Sequence, residues 1–199
     1  MILNDNIRYA RFPIASRTYL SEGRHSKMKP PVEIISAAAI AARVEDLGRD
    51  IDKRLPPGPM TVVGELRGAF IFMADLVRAV PRPMTCDFLA VRSYGDATVS
   101  SGVVEITRDI STPIAGRHVL LVEDIVDTGL TLKYLVDLLG ARGPASLHTC
   151  ALLSKPSRRR IEVPVDFIGF EVPDEFVVGY GLDAGQLYRN LPYIGVITG

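Results

Sequence analysis

Hydrophobic positions along this chain fall into two alternating patterns. Residues 33–55 carry Ile34, Ile35, Ala38, Ala41, Ala42, Val44 and Leu47 as an apolar face interrupted by charge. The stretch lies between Pro30-Pro31 and Pro56-Pro57-Gly58-Pro59, which predicts a helix that ends before the second proline cluster. Residues 60–66 predict a buried strand, and 69–80 predict the helix after it, stopped by Pro81. A second apolar run covers 86–91, and 93–102, rich in Ser, Gly and Asp without a period, predicts an exposed, mobile loop. Short strands are predicted at 103–107 and at 119–122, the latter ahead of a helix carrying Leu132, Leu135, Val136, Leu138 and Leu139 up to Gly140. Further strands are predicted at 147–153, 165–170, 176–180 and 193–197. Strands joined by long helical crossovers predict an α/β protein with a largely parallel sheet and helices on its faces. No repeat or linker is visible, so one domain is expected over 1–199, its core at about 33–153 and a small lobe built from 1–30 and 154–199.

Composition narrows the function. With 47% hydrophobic residues over 199 positions the chain can bury one sizeable core, which excludes a disordered or disulfide-stapled protein. Lys plus Arg and Asp plus Glu number 23 each, and this balance disfavours a dedicated nucleic-acid binder despite the local run Arg158-Arg159-Arg160. Cys86 and Cys150 form no CxxC pair, and His25, His118 and His148 lack metal-ligand spacing. Residues 1–11 lack the pattern of a secretory signal, and no run approaches the ~18 apolar residues that span a bilayer, so a cytoplasmic protein without a membrane partner is expected.

The candidate chemistry lies in Val119-Leu120-Leu121-Val122-Glu123-Asp124-Ile125-Val126-Asp127-Thr128-Gly129-Leu130-Thr131. The strand is expected to end at Val122, and ligands of open α/β sheets bind beyond such carboxyl ends. Three carboxylates follow it. Thr128, Gly129 and Thr131 then offer hydroxyls, backbone N–H groups and close approach at a helix start, a setting suited to an anion. GxxxxGK[ST] is absent, which excludes a nucleoside-triphosphatase P-loop. Acids beside an anion cradle are compatible if a divalent ion or sugar hydroxyls lie between them. An Asp/Thr helix cap explains Asp127 and Thr128 but not three acids.

This segment resembles the phosphoribosyl-diphosphate (PRPP) motif of type I phosphoribosyltransferases. Together with Leu66-Arg67-Gly68-Ala69-Phe70 and Pro173-Asp174-Glu175-Phe176-Val177-Val178-Gly179-Tyr180-Gly181-Leu182-Asp183, it resembles the hypoxanthine-guanine branch of that family. The resemblance runs from about Met60 to Ile197. It implies the type I fold, whose small lobe forms a hood over the central sheet, and Mg²⁺-dependent transfer of the 5-phosphoribosyl group from PRPP to N9 of hypoxanthine or guanine. The products would be IMP or GMP and pyrophosphate, a purine-salvage reaction.

The resemblance also implies roles. Glu123 and Asp124 would hold the ribose hydroxyls directly or through Mg²⁺, with Asp183 as a further metal contact. Asp127 would be the catalytic residue, accepting the N7 proton of the purine. Ile125, Val126, Asp127, Thr128, Gly129, Leu130 and Thr131 would seat the 5′-phosphate. Leu66, Arg67 and Gly68 would form the pyrophosphate loop, with a cis peptide between the first two and Arg67 where many relatives have Lys. Arg189 would contact pyrophosphate, and Ser93 and Tyr94 would open the loop that closes over PRPP. Phe176 would stack on the purine, Val177 would present backbone groups to its edge, and Lys155 would donate to its 6-oxo group. Glu175 stands where some relatives have Lys. A homodimer or homotetramer is implied. Competing expectations are a regulatory protein on the same fold, which the basic segment 154–160 favours, and an enzyme for xanthine or another acceptor.

Overall fold

The computed structural model describes residues 30–94 and 103–197. Its main element is a six-stranded sheet of β2 (Met60–Leu66), β3 (Thr85–Tyr94), β4 (Val103–Arg108), β5 (His118–Val126), β6 (Ser146–Ser154) and β7 (Phe167–Glu171), ordered β4-β3-β2-β5-β6-β7. All neighbours are parallel except the β3–β4 pair. Helices α1 (Ala37–Arg54) and α2 (Phe70–Ala79) cover one face, and α3 (Leu130–Gly140) covers the other. This explains the unbroken apolar run at 119–122: Leu120 and Val122 pack with α1 and α2, while Val119 and Leu121 pack with α3. A sheet buried on both faces needs hydrophobic residues at every position rather than alternate ones.

A second, three-stranded sheet contains β1 (Val32–Ile35), β8 (Val177–Val178) and β9 (Ile194–Val196), ordered β1-β9-β8 and antiparallel throughout. It lies on the α1–α2 side, where Val177, Ile194 and Val196 join the core shared with both helices.

Several expected boundaries move. The helix expected over 33–55 starts only at Ala37, because Ser36 takes an extended backbone and its hydroxyl accepts the Ala39 N–H at 3.2 Å, capping the helix. Glu33, Ile34 and Ile35 are strand, and the buried face of α1 is Ile40, Val44, Leu47, Gly48 and Ile51. Ala38, Ala41 and Ala42 are exposed. The division at 33 and 154 also shifts, since β1 belongs to the small sheet and β7 to the large one. Strand β3 extends through Ser93 and Tyr94, which pair with Val104 and Val103, so the loop expected from 93 begins later. Its residues 95–102, and the lobe segment 1–29, lie outside the described residues.

Asp87 on β3 anchors the chain where it returns from β4. Its carboxylate accepts N–H groups from Ser111 at 2.8 Å, Thr112 at 2.7 Å and Phe88 at 2.8 Å. Burial by itself raises the Asp87 pKa, but these hydrogen bonds outweigh it and bring the value down to about 2. The folded value lies below the unfolded one of about 4, so the stabilisation is present above pH 4 and disappears as the pH falls from 4 to 2. Asp87→Asn is expected to lose about 2 kcal/mol in urea unfolding at pH 7. The gap between variant and parent should narrow steadily below pH 4; a constant gap would refute the assignment.

Candidate active site

The parallel strands β2, β5 and β6 end on the same edge of the sheet, and the segments that follow them converge there. Strand β5 does not end at Val122. Its ladder with β6 continues through Ile125 opposite Leu153 and Val126 opposite Ser154, so Glu123 and Asp124 are strand residues, not loop residues. Glu123 is 5% exposed. After β5 the chain turns through Asp127 and Thr128 to Gly129, whose φ of +86° is a backbone state that side chains resist. That turn starts α3.

A cavity of about 260 Å³ opens between the ends of β2 and β5. Glu65, Val91, Glu123, Asp124, Ile125, Val126, Asp127, Thr128, Gly129, Thr131 and Leu132 line it; Leu130 does not. Three of its carboxylates, from Glu65, Glu123 and Asp124, bring ligand oxygens within 4.8 Å of one another. Asp124 reaches this position because Gly68 has no side chain: a Cβ there would stand 1.5 Å from Asp124 Oδ2.

The electrostatics follow from this crowding. Burial first, and the charge of Asp124 second, push Glu65 up to about 8, against a hydrogen bond from Val91 and the charge of Arg189. Burial and then Glu65 and Asp124 raise Glu123 well above the usual carboxylate range. Burial likewise raises Asp124, despite its bond from the Ile125 N–H at 2.8 Å. Glu123 Oε1 is buried without a hydrogen-bond partner. A buried carboxylate oxygen facing two more acids suits a hard divalent ion, and this cluster could hold one.

A second cavity of about 250 Å³ shares Asp124, Ile125 and Asp127 with the first. Lys155, Phe176, Val177, Leu182 and Asp183 complete its lining. Phe176 presents its ring 59% exposed, whereas Lys155 is only 7% exposed and donates from Nζ to the Glu175 carbonyl at 2.6 Å. Asp127 Oδ1 lies 2.7 Å from Arg158 Nε as an ion pair, off the line of a hydrogen bond. Arg158 also reaches Asp174 at 3.2 Å, and Arg159 donates to Ser154 Oγ at 3.0 Å. Two arginines of the basic run are therefore engaged within the protein.

Directly after Glu65 in the chain, Leu66 and Arg67 are joined by a cis peptide bond. Arg67 Nη1 donates to Gln186 Oε1 at 3.0 Å. Arg189 bonds the Gly181 carbonyl at 2.7 Å and pairs with Asp183 at 2.6 Å. Asp183 thus stands at the second cavity, apart from the tight trio of acids. The sequence reading missed Glu65, Arg158 and Gln186. Glu65 left one signal, a lone acid within an apolar strand immediately before Leu66-Arg67-Gly68.

Comparison with known proteins agrees with this fold. The phosphoribosyl transferase domain family matches residues 31–184. The hypoxanthine phosphoribosyltransferase of Salmonella typhimurium is 50% identical over 174 residues, covering 86% of this chain and 98% of that protein. The hypoxanthine-guanine phosphoribosyltransferase of Bacillus subtilis is 47% identical over 172 residues, covering 85% and 96%. A solved hypoxanthine phosphoribosyltransferase of Staphylococcus aureus superposes with a TM-score of 0.81 at 40% identity, covering 86% of this chain and 92% of that one. Identity at this level over nearly whole chains, on the type I phosphoribosyltransferase fold described above, means that the chain belongs to the hypoxanthine-guanine phosphoribosyltransferase family.

Proposed function

We propose that the two cavities hold the two reactants of a phosphoribosyl transfer, with PRPP in the first and the purine in the second. The reaction moves the 5-phosphoribosyl group of PRPP to hypoxanthine or guanine, giving IMP or GMP and pyrophosphate. One observation carries this reading: Asp124, Ile125 and Asp127 line both cavities, so a sugar in one and a flat ring in the other meet at the same side chains.

Asp127 sits at that boundary as the proton acceptor. As N9 bonds to C1 of the ribose and pyrophosphate departs, the N7 proton passes to its carboxylate. Thr128, Gly129 and Thr131, at the start of α3, receive the 5′-phosphate, where backbone N–H groups and the helix dipole favour an anion. Glu123 and Asp124 would face the ribose hydroxyls and hold Mg²⁺, with Asp183 as a further contact from the second cavity, and the ion would neutralise and orient the leaving pyrophosphate. Arg67 and Arg189 hold pyrophosphate at the mouth. The Phe176 ring stacks on the base and Val177 offers backbone groups to its edge. An ammonium has three donors, and Lys155 uses one on Glu175, so another is free for the 6-oxo group.

No helix among the described residues is long and apolar enough to cross a membrane. We assign the chain to the cytoplasm as a homodimer or homotetramer; Val32, Ile34 and Phe70 leave exposed apolar surface that association would cover.

The direct test supplies PRPP and Mg²⁺ with hypoxanthine, guanine, xanthine, adenine or uracil in separate reactions and measures the mononucleotide formed. Product from hypoxanthine or guanine, and none from adenine or uracil, is expected; no product from either 6-oxopurine would overturn the reading. Asp127→Asn should still bind PRPP but lose about 100-fold or more in kcat, and an unchanged kcat in an assay limited by chemistry would remove it from the mechanism. For Lys155→Ala, the ratio of kcat/KM for hypoxanthine to that for adenine should shrink by about 10-fold or more, because adenine offers a donor where the lysine needs an acceptor. Equal discrimination by parent and variant would sink that role.

A further inference from the structure

Glu65 has no place in the transfer derived above, yet its position is strongly constrained. Gly64 lies opposite Val122 in the parallel ladder of β2 and β5, so the next step of the register sets Glu65 beside Glu123. Like charges on adjacent strands are unfavourable, and here the surroundings are dry. Three residues beyond Glu65, the bare Cα of Gly68 admits Asp124 to the same spot. Among the described residues, the arginine whose charge acts on both Glu65 and Asp124 is Arg189, and its guanidinium is already paired with Asp183 at 2.6 Å. Independently of the clustering, Glu123 Oε1 is buried with no hydrogen-bond donor to satisfy it. Protons can relieve the repulsion one carboxylate at a time, whereas a single divalent ion can engage an oxygen from each of the three, including the orphaned one.

We propose that Glu65, Glu123 and Asp124 form a divalent-cation site supplied by the protein alone, so that the enzyme takes up one ion before PRPP arrives. Glu65 is the member that makes the site independent of substrate. Without its carboxylate, Glu123 and Asp124 would gather an ion only together with the oxygens of PRPP. The use of this ion in catalysis rests on the transfer proposed above; its binding does not.

The test titrates Mn²⁺ into the substrate-free full-length protein and follows loss of the free-ion signal by electron paramagnetic resonance near pH 7.5. Parent protein is expected to bind one Mn²⁺ per chain saturably. Glu65→Gln, nearly isosteric and relieved of one charge, should weaken that binding by about 10-fold or more, since even partners of metal ligands are worth 10- to 100-fold in affinity. Glu65→Leu serves as a second variant, and the Tm of each without metal confirms folding. Mn²⁺ should raise the Tm of the parent more than that of either folded variant. Absence of a saturable ion in the parent, or equal affinity in folded variants, would overturn the proposal. Transfer activity, measured on the same samples, separates the two claims. Transfer without substrate-free Mn²⁺ binding refutes the site and leaves the function standing. Mn²⁺ binding that depends on Glu65 without transfer supports the site and refutes the function.

Discussion

Two parallel strands held in register bring residues of the same height side by side, and the site follows from that constraint. Strands β2 and β5 run in register from Met60 opposite His118 to Gly64 opposite Val122, so the next residues along them, Glu65 and Glu123, come side by side. Helices on both faces of the sheet keep water away, which strengthens every charge interaction at this edge. At separations of no more than 4.8 Å within the acid trio, and with an effective dielectric constant of about 20, each fully ionised pair repels by about 3 kcal/mol or more. A domain stabilised by some 5–15 kcal/mol can carry such a defect only if protons or a cation relieve it. The sheet supplies the rigidity that holds these acids in place, and the arrangement of charge in the site depends on their being held.

The alternation of apolar runs and amphipathic stretches made the parallel sheet legible, because a strand covered on both faces must be hydrophobic at successive positions. The same logic hid the end of β5. Glu123 and Asp124 look like the start of a loop, but the backbone ladder is indifferent to side-chain polarity and continues to Val126. A polar pair inside a buried strand breaks local consistency, and sites of function are where such breaks are tolerated. At the other end, Ile34 and Ile35 fitted a helical face equally well as a strand of four residues; only Ser36, a good cap placed before the periodic run, marked the boundary.

Long-range pairing was the information that local pattern lacked. The motif at 122–131 announced its own chemistry, and the resemblance it carried led to Lys155, Phe176 and Asp183, which do meet at one cavity. Glu65 became informative only once β2 was known to lie beside β5. Arg158 is similar: read along the chain it is one of three consecutive arginines, a solvated patch suited to a polyanion. In space it reaches back across the turn after β6 to Asp127.

The cations at the mouth complete the electrostatic design. Arg67 and Arg189 both direct a guanidinium nitrogen to Gln186 Oε1, at 3.0 and 3.4 Å. An amide oxygen can accept from both, so Gln186 sets the spacing of two like charges without cancelling either. Asp183 neutralises Arg189 alone, and Arg67 stays exposed with its charge uncompensated by any carboxylate partner among the described ion pairs. The mouth is thus positive while the floor, at Glu65, Glu123 and Asp124, is acidic and buried. Under the proposed function, a sugar carrying a diphosphate would meet opposite signs at its two sides, with the diphosphate toward the arginines and the hydroxyls, which can donate to carboxylates, toward the acids. On that proposal the charge pattern would orient the substrate before any catalytic group acts, and Arg67 would contribute a fixed fork where lysine would offer a point charge.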